Sequence, residues 1–375
     1  MAQRAACPQR TYREHEFLRR GENHPVQPAF MADGDGPVLA TVVPVYNEAA
    51  HVEACLLSLL NQTLEPQRHM VVVLDGGSTD GTGAMVSSII EAHRGEGWPR
   101  MELLQNPNRT VAHARNLALS TVPASVEYLV EMIGHATVSP DHLEQRLAAW
   151  EACEAEVGQR LAGVGVRVVP AEGPLSRTAR WIDGALASPL GQSGGQFSRF
   201  EVRGPTKVPA FVMHRRTSVE AVGGWDEAYI TSQDSDLSMR LLKAGHVLYR
   251  DPAPEVRMHK RNTLSQWWKM GHRYGFWRTK VLLKHPRRAS WLEFLPLFGL
   301  LLTAGFFLAS VAGWWMLPAA YGVALLLAAG QRVGRGDGWS ALVGVPLCLV
   351  ILHSSFTLGL VDGLFRRGRS PTDRG

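Results

Sequence analysis

Cysteine is scarce in this 375-residue chain: Cys7, Cys55, Cys153 and Cys348 lie far apart, with no CxxC pair. That excludes a disulfide framework and a thiolate zinc site, and it fits a reducing compartment. The two usual phosphate loops are also missing, since no strand is followed by GxGxxG or by a Walker GK[ST] ending. Residues 1–36 lack the apolar core of a signal peptide and read as a loose N-terminal extension. Formal charge is absent from two long runs, the 38 residues 294–331 and the 24 residues 338–361. The net charge of +5 and pI near 9.2 fit nucleic acid, anionic lipid or phosphorylated substrates equally well, so charge alone selects none of them.

The uncharged runs are almost wholly apolar. A membrane span takes about 20 apolar residues, so the first run holds two short spans and the second holds one. LPLFGLLLTAGFFLASVAGWWMLP has no polar face, which argues against a buried hairpin in a soluble protein. Trp291, Trp314, Trp315 and Trp339 stand near the run ends, as in an interfacial aromatic belt. Arg278, Lys280, Lys284, Arg287 and Arg288 precede the first run, which assigns the large N-terminal part to the cytoplasm. Two crossings return Arg332 and Arg335 to that side. A third would carry Arg366, Arg367 and Arg369 outside, so either the rule is overridden or the last segment dips in and returns near Pro346.

Ahead of these runs, VLATVVPVYNE (38–48) reads as a β-branched strand with a polar tip, and HVEACLLSLLNQ (51–62) has helical spacing. MVVVLDGGSTDGT (70–82) repeats the pattern, with a helix expected from about Gly83. Strands apolar on both faces and alternating with helices predict a doubly wound α/β sheet, with ligands beyond the strands' carboxyl ends. The site candidates are therefore the tips: Tyr46 to Glu48, Asp75 to Thr82, and Gly134 with His135 after the strand Tyr128–Val130. Asp80 has a natural place as a helix cap, whereas Asp75 has no obvious capping role and points to ligand contact.

VVPVYNE followed by VVLDGGSTDGT closely resembles the start of the family 2 glycosyltransferases. The match continues through RTVAHARNLAL (109–119), GGWDEAYITSQDSDLSMRLLKAGH (223–246) and QWWKMGHRYGFWRTKVLLKHP (266–286). With the trailing apolar helices, these segments look like the membrane-bound branch that builds exopolysaccharide repeat units, of the succinoglycan glucosyltransferase type. The resemblance implies a GT-A fold, a Rossmann-like mixed sheet flanked by helices, with C-terminal transmembrane helices. The expected organisation is an extension over 1–36, a GT-A domain over 37–262, an amphipathic interfacial segment over 263–290, two to three transmembrane helices over 291–364, and a basic tail over 365–375.

Sugar transfer from a nucleotide diphosphate needs donors or a cation on the leaving phosphate and a base near the acceptor hydroxyl. The resemblance puts Pro44, Tyr46 and Glu48 on the nucleobase side, Asp75 on the uracil or ribose, and Arg115 near the diphosphate. Asp234 matches the second acid of the family's ED pair and is the candidate base, with Gln233 replacing the first acid. Asp236 and Arg240 are spaced for a helical ion pair and are expected to orient. Trp225, beside Asp226, offers a platform for a sugar ring. Gln266, Arg273 and Tyr274 match a Q…RYG motif expected to close over the site or meet acceptor phosphates. The segment's basic and aromatic residues suit a membrane surface better than RNA.

EMIGHATVSP (131–140) falls where the family carries its metal motif, often D-G-H, so His135 becomes a metal ligand and His259 a second one. The cofactor implied is Mn2+ or Mg2+, and imidazole suits manganese better. Ile133 stands where the family has an aspartate. Glu131 is two residues earlier on the same strand face, and a bulge would be needed to bring it forward.

The expected activity is transfer of a hexose from a nucleotide-diphospho-sugar, a UDP-sugar first, to a lipid-linked glycan, by an inverting enzyme anchored in the plasma membrane with its catalytic domain in the cytoplasm. The expected partners are that donor, that acceptor and membrane lipids, with no nucleic acid. Two alternatives are glycolipid synthesis on a simple lipid and a glycosyltransferase-like protein that binds without turnover.

Overall fold

The computed structural model describes residues 36–171, 173, 175–191, 200–259 and 262–373; the expected N-terminal extension lies almost entirely outside them. In chain order the elements are β1 Leu39–Val45, α1 Val52–Leu60, β2 His69–Asp75, α2 Thr82–Ala92, β3 Arg100–Gln105, α3 Val111–Thr121, β4 Tyr128–Glu131, β5 Ala136–Thr137 and α4 His142–Val157. There follow β6 Leu161–Pro170, α5 Arg177–Leu186, β7 Gly204–Pro205, β8 Met213–Arg215, α6 Arg216–Ala221, α7 Gln233–Lys243, β9 Val247–Met258, α8 Leu264–Lys284, α9 Leu295–Leu308, α10 Met316–Gly334 and α11 Ala341–Phe365.

The sheet runs β3-β2-β1-β4-β8-β6-β9-β5, with β7 paired to β9. β3, β2, β1 and β4 are parallel, and β8 is antiparallel to both β4 and β6, so the sheet is mixed as expected. All of β2 is buried and so is nearly all of β1, because helices cover both faces. One core cluster packs α1 and α2 on one face through Val52, Leu56 and Val86; another packs α3 and α7 on the other through Ala114, Ala118 and Leu237. This arrangement puts the tips of β1, β2 and β4 at one edge, where the site forms.

α8 and α11 run side by side in the same direction. Trp267 Nε1 donates to the Cys348 carbonyl at 2.8 Å, Thr279 Oγ1 to Leu360 at 2.8 Å, and Lys280 Nζ to Arg366 at 2.7 Å, so contacts advance along both helices together. Small residues one turn apart make this possible: Gly271, Gly275 and Thr279 face Ser355, Gly359 and Gly363. A Cβ on Gly275 would lie 2.1 Å from the Phe356 carbonyl oxygen, and one on Gly359 equally close to that of His272. α8 was expected to lay its apolar face on lipid. Instead Trp267, Met270 and Phe276 are buried against protein, because α11 occupies that face.

Among the described residues, three helices are long and apolar enough to cross a membrane: Trp291–Leu308, Met316–Gly334 and Ala341–Phe365. α9 buries none of its residues; Leu300, Leu302 and Phe307 are all more than half exposed, an apolar surface that suits lipid and not water. α11 continues through Pro346 as one helix, so of the two alternatives left open by the sequence the dip and return at Pro346 is not the one adopted.

Gly275→Val should cost about 2 kcal/mol or more, because a helix backbone rather than a flexible side chain blocks the new atoms. Gly299→Ala, whose Cβ meets nothing within 4 Å, should stay within about 1 kcal/mol of the parent. Thermal unfolding in detergent compares them, and equal midpoints would rule out the close helix contact.

Candidate active site

The tips of β1 and β2 lock to each other before any ligand is considered. Asn47 sits at φ 54 and accepts from Thr79 N–H at 2.8 Å, while its own N–H donates to Ser78 Oγ at 2.9 Å. Glu48 N–H donates to Thr82 Oγ1 and Ala49 N–H to Asp80 Oδ2. Asp80 also accepts from Thr82 N–H, the first amide of α2, but from one residue ahead of the N-cap position, which Gly81 occupies at φ 93. Asp75 is buried, and its Oδ1 accepts from both N–H and Oγ–H of Ser78. Asp75 therefore closes this turn, a partner that its sequence context did not reveal. Arg109, at φ 58, lies over the Tyr46 ring at 5.6 Å.

The end of β4 carries a buried charge network. Glu131 Oε1 is 2.9 Å from Arg115 Nη1 on α3 and 3.2 Å from His214 Nε2 on β8. Burial would raise the Glu131 carboxyl, but Arg115 and His214 outweigh it and hold it at about 2. Glu131 stays in register with Val42 and does not bulge forward to replace the missing aspartate, because these partners hold it inward. Arg115 does reach the cavity wall, yet its charge faces Glu131 and the Trp225 ring, with its guanidinium carbon 5.7 Å from the ring centre. Next to this network, Arg146 donates from Nε to His142 Nε2 at 2.7 Å and from Nη1 to the carbonyl of Phe211, a residue at φ 45. Burial and Arg146 push His142 far below its ordinary value, as an accepting imidazole requires.

Beyond Glu131 the chain turns at Gly134, where a Cβ would lie 3.1 Å from the Glu48 side chain. That close approach lets Glu48 Oε1 meet His135 Nδ1 at 2.8 Å. Glu48, expected on the nucleobase side, thus orients the histidine and leaves its Nε2 available. His259 N–H donates to the His135 carbonyl, and the His259 ring stacks on His51 at 4.4 Å. Burial first, then His51 and His135, keep His259 below its ordinary value. Ile133 packs on the core while its carbonyl accepts from Cys55 Sγ at 3.3 Å. Among the described residues no three His, Cys, Asp or Glu side chains are arranged to hold a metal.

These groups line a cavity of about 1790 Å³ with Asp234, Gln233, Gln266, Arg273 and Tyr274. Asp234 Oδ1 accepts from Ser235 N–H at 2.8 Å, which fixes the carboxylate at the start of α7. Ser232 precedes it at φ 68 without a side-chain cap, so neither Ser232 nor Asp234 acts as an ordinary N-cap. Gln233 is buried and its Oε1 lacks a hydrogen-bond partner. Arg273 donates to the Thr372 carbonyl at 3.1 Å, and Asp373 accepts from Trp277 Nε1 at 2.9 Å, so residues 372 and 373 join the wall.

Four expected substrate contacts lie elsewhere. Trp225 is 3% exposed and belongs to the core, edge-on to His214, so it offers no platform for a sugar. Asp236 is fully buried and binds Arg240, Lys284 and His285 at 2.7, 2.8 and 2.9 Å, while Asp226 binds Lys284. Burial opposes ionisation of Asp236, but these three partners prevail and lower its pKa. Asp236 therefore pins α7 to the end of α8, Asp226 shares Lys284 with it, and Arg240 ties α7 to the Val222 carbonyl. The i,i+4 spacing foretold the Arg240 pair; nothing local foretold Lys284 or His285. Pro44, Tyr46 and Asp75 belong to the β1 and β2 tips and do not line this cavity.

Residues 41–220 match glycosyl transferase family 2. The succinoglycan biosynthesis protein ExoA of Rhizobium meliloti (strain 1021) is 31% identical over 87% of this chain and 95% of its own length. A dolichyl N-acetyl-alpha-D-glucosaminyl phosphate 3-beta-D-2,3-diacetamido-2,3-dideoxy-beta-D-glucuronosyltransferase of Methanococcus voltae is 23% identical over 88% of this chain and 97% of its own length. In fold, the chain is like a mannosyltransferase of Pyrobaculum calidifontis solved with GDP-Man and Mn2+, with a TM-score of 0.57 at 18% identity over 94% of this chain and 92% of that one.

Glu131→Gln should lower stability by about 3 kcal/mol, because it leaves the Arg115 charge buried without its partner. Adding Arg115→Met should recover most of that loss. Thermal unfolding of the single and double variants in detergent measures the coupling, and additive losses would dismiss it.

Proposed function

Because the chain belongs to the family 2 glycosyltransferases, we propose that it transfers a hexose from a nucleotide-diphospho-sugar to a lipid-linked glycan during cell-surface polysaccharide synthesis. The observation that carries this is the placement of Asp234 in one cavity with His135, Gln233, Gln266 and Arg273. In the reaction the acceptor oxygen attacks the anomeric carbon as its proton passes to the Asp234 carboxylate. The bond from that carbon to the diphosphate breaks, its electron pair leaves with the nucleotide, and the anomeric centre inverts. Gln233, with an unpartnered buried Oε1, suits a hydrogen bond from a sugar hydroxyl. Tyr46, beneath Arg109, and the Asp75 turn are held beside this cavity and not in its wall, so in this reading they contribute to the nucleobase side through the loop they order.

A divalent cation fits the site in part. His135 through Nε2 and His259 would hold it, with Glu48 orienting His135 and the donor's phosphates supplying the remaining oxygens. Such a cation stabilises charge on the leaving diphosphate. Ile133 makes the protein's own share of that donor set smaller than an aspartate would.

The acceptor side supports a membrane location. The cavity wall continues onto Leu295, Pro296 and Leu300 of α9 and onto Leu317 of α10, so it opens onto the apolar helices. The Methanococcus voltae relative carries a dolichyl sugar phosphate in its name. For topology, α9 and α10 cross and α11 stays with the catalytic domain. Gly184 of α5 approaches Val345 and Asp337 near the start of α11, while Asp373 and Thr372, beyond its end, bind Trp277 and Arg273. Both flanks of α11 then lie on the catalytic side, and Arg366, Arg367 and Arg369 obey the positive-inside rule on the cytoplasmic face.

Asp234→Asn should lower transfer by about 10²- to 10⁴-fold with donor affinity little changed. Purified protein in detergent, given UDP-, GDP- and dTDP-sugars with Mn2+ or Mg2+ and lipid-linked acceptors, provides the assay. Neither turnover nor donor hydrolysis in any combination would defeat the transferase assignment. Ile133→Asp should tighten Mn2+ binding about tenfold or more by adding a carboxylate; a calorimetric titration unchanged from the parent would count against this metal site.

A further inference from the structure

Two arginines in the cavity are paired with protein only loosely. Arg278 projects from α8, and Arg288 from the 3-10 turn Pro286–Arg288 that follows it. The Arg288 side chain is 9% exposed and that of Arg278 15%. Glu293, in the turn Trp291–Phe294 that opens α9, lies between them. Its Oε2 is 3.5 Å from Arg278 Nε and its Oε1 3.6 Å from Arg288 Nη1, too far for hydrogen bonds of ordinary strength. Arg278 Nη1, Arg288 Nε and both Glu293 oxygens are buried without hydrogen-bond partners. Unmade bonds to buried charges are costly, so this group is a set of donors in waiting and not a finished ion triad. Burial, followed by the neighbouring Arg278, brings Arg288 down to about 10, which still leaves it cationic at neutral pH.

The surroundings specify the ligand. Arg288 is within electrostatic reach of Asp234, the candidate base. Immediately after Glu293 the wall becomes apolar at Leu295, Pro296 and Leu300, of which Leu295 and Leu300 are 47% and 61% exposed. Lys269 and Arg273 add further positive charge to the same cavity. A ligand that satisfies all of this is anionic where it meets the guanidiniums and aliphatic where it meets α9. Guanidinium forks match the oxygens of a phosphate ester in geometry as well as in charge.

We propose that Arg278 and Arg288 form the subsite for the phosphate or diphosphate ester of a lipid acceptor, whose chain lies along α9. Glu293 is the counter-ion that keeps the two guanidiniums in place and gives way when the ester enters. The assignment rests on the lipid-linked acceptor proposed above, but it is tested by binding alone, without a sugar donor.

The experiment measures binding of polyprenyl diphosphate, polyprenol and inorganic pyrophosphate to the full-length protein in detergent. Polyprenyl diphosphate should bind at least tenfold more tightly than either of the others. Arg278→Gln and Arg288→Gln should each weaken it at least tenfold, with polyprenol and nucleoside diphosphate affinities unchanged. Pyrophosphate binding as tightly as the lipid would overturn the lipid assignment, and variants that bind like the parent would overturn the arginines' role. Glu293→Gln keeps both arginines, so adding polyprenyl diphosphate should raise its thermal midpoint more than the parent's; an equal or smaller rise would overturn the counter-ion role. Binding as expected without sugar transfer would sink the transferase reading and leave the subsite standing, whereas transfer with unchanged variant binding would do the reverse.

Discussion

The buried Glu131 carboxylate is the constraint around which the catalytic half is arranged. It sits at the end of a parallel strand, where a lone charge in the protein interior would be too costly to keep. Arg115 comes from α3 and His214 from the antiparallel strand β8, so satisfying one acid fixes three elements with respect to one another. The residues just beyond it, Ile133 to His135, inherit their position from that arrangement. A buried ion pair contributes little net stability compared with apolar packing; what it contributes here is a defined geometry at the strand tip. Arg146 extends the same constraint to Phe211, whose left-handed backbone lies on the cavity wall.

The polar loops divide their work. Ser78, Asp80 and Thr82 bind the backbone of residues 47–49, so the second tip holds the first in place. Glu48 is then positioned to orient His135, and the cavity beyond holds Asp234 together with groups with incomplete partners: Gln233, Arg278 and Arg288. Structural polar residues make their bonds within the protein, whereas ligand-facing ones have capacity left over. By that criterion Asp236 belongs to the scaffold, and Trp225 joins it through burial in the core, although both lie in the same sequence motifs as the candidate base.

Packing of α8 against α11 carries the site to the apolar helices. Glycines on both helices bring the backbones close enough that neither tolerates a side chain there. The basic residues of α8 and the turn after it divide three ways as a result. Lys284 binds Asp226 and Asp236, Lys280 binds the Arg366 carbonyl, and Arg278 with Arg288 turns to the cavity. In sequence these four cations, with Arg287, form one undifferentiated cluster that indicates only which side of a membrane they favour. Their separate roles emerge from the helix face each occupies and from acids that lie far away along the chain.

Much of the fold was legible from local pattern. Apolar runs gave β1, β2 and β4 to within a residue or so, helical periodicity gave α1, and uncharged length gave α9 to α11, because strand and helix periods are written in neighbouring residues. The GxxxG spacing at Gly271/Gly275 and Gly359/Gly363 is an equally local signal for the α8–α11 contact, though the basic and aromatic residues of α8 alone argue for a surface helix. The ligand-facing set was legible only in part: Asp234, His135, Gln266, Arg273 and Tyr274 do share one cavity, while Trp225, Asp226, Asp236 and Arg240 do not. By itself the sequence determined the leading strand–helix units, the family and the apolar helices. Only the tertiary structure decided which acids and cations face the cavity, because pairing and burial depend on partners such as Glu131 and His214, 83 residues apart, that no local pattern brings together.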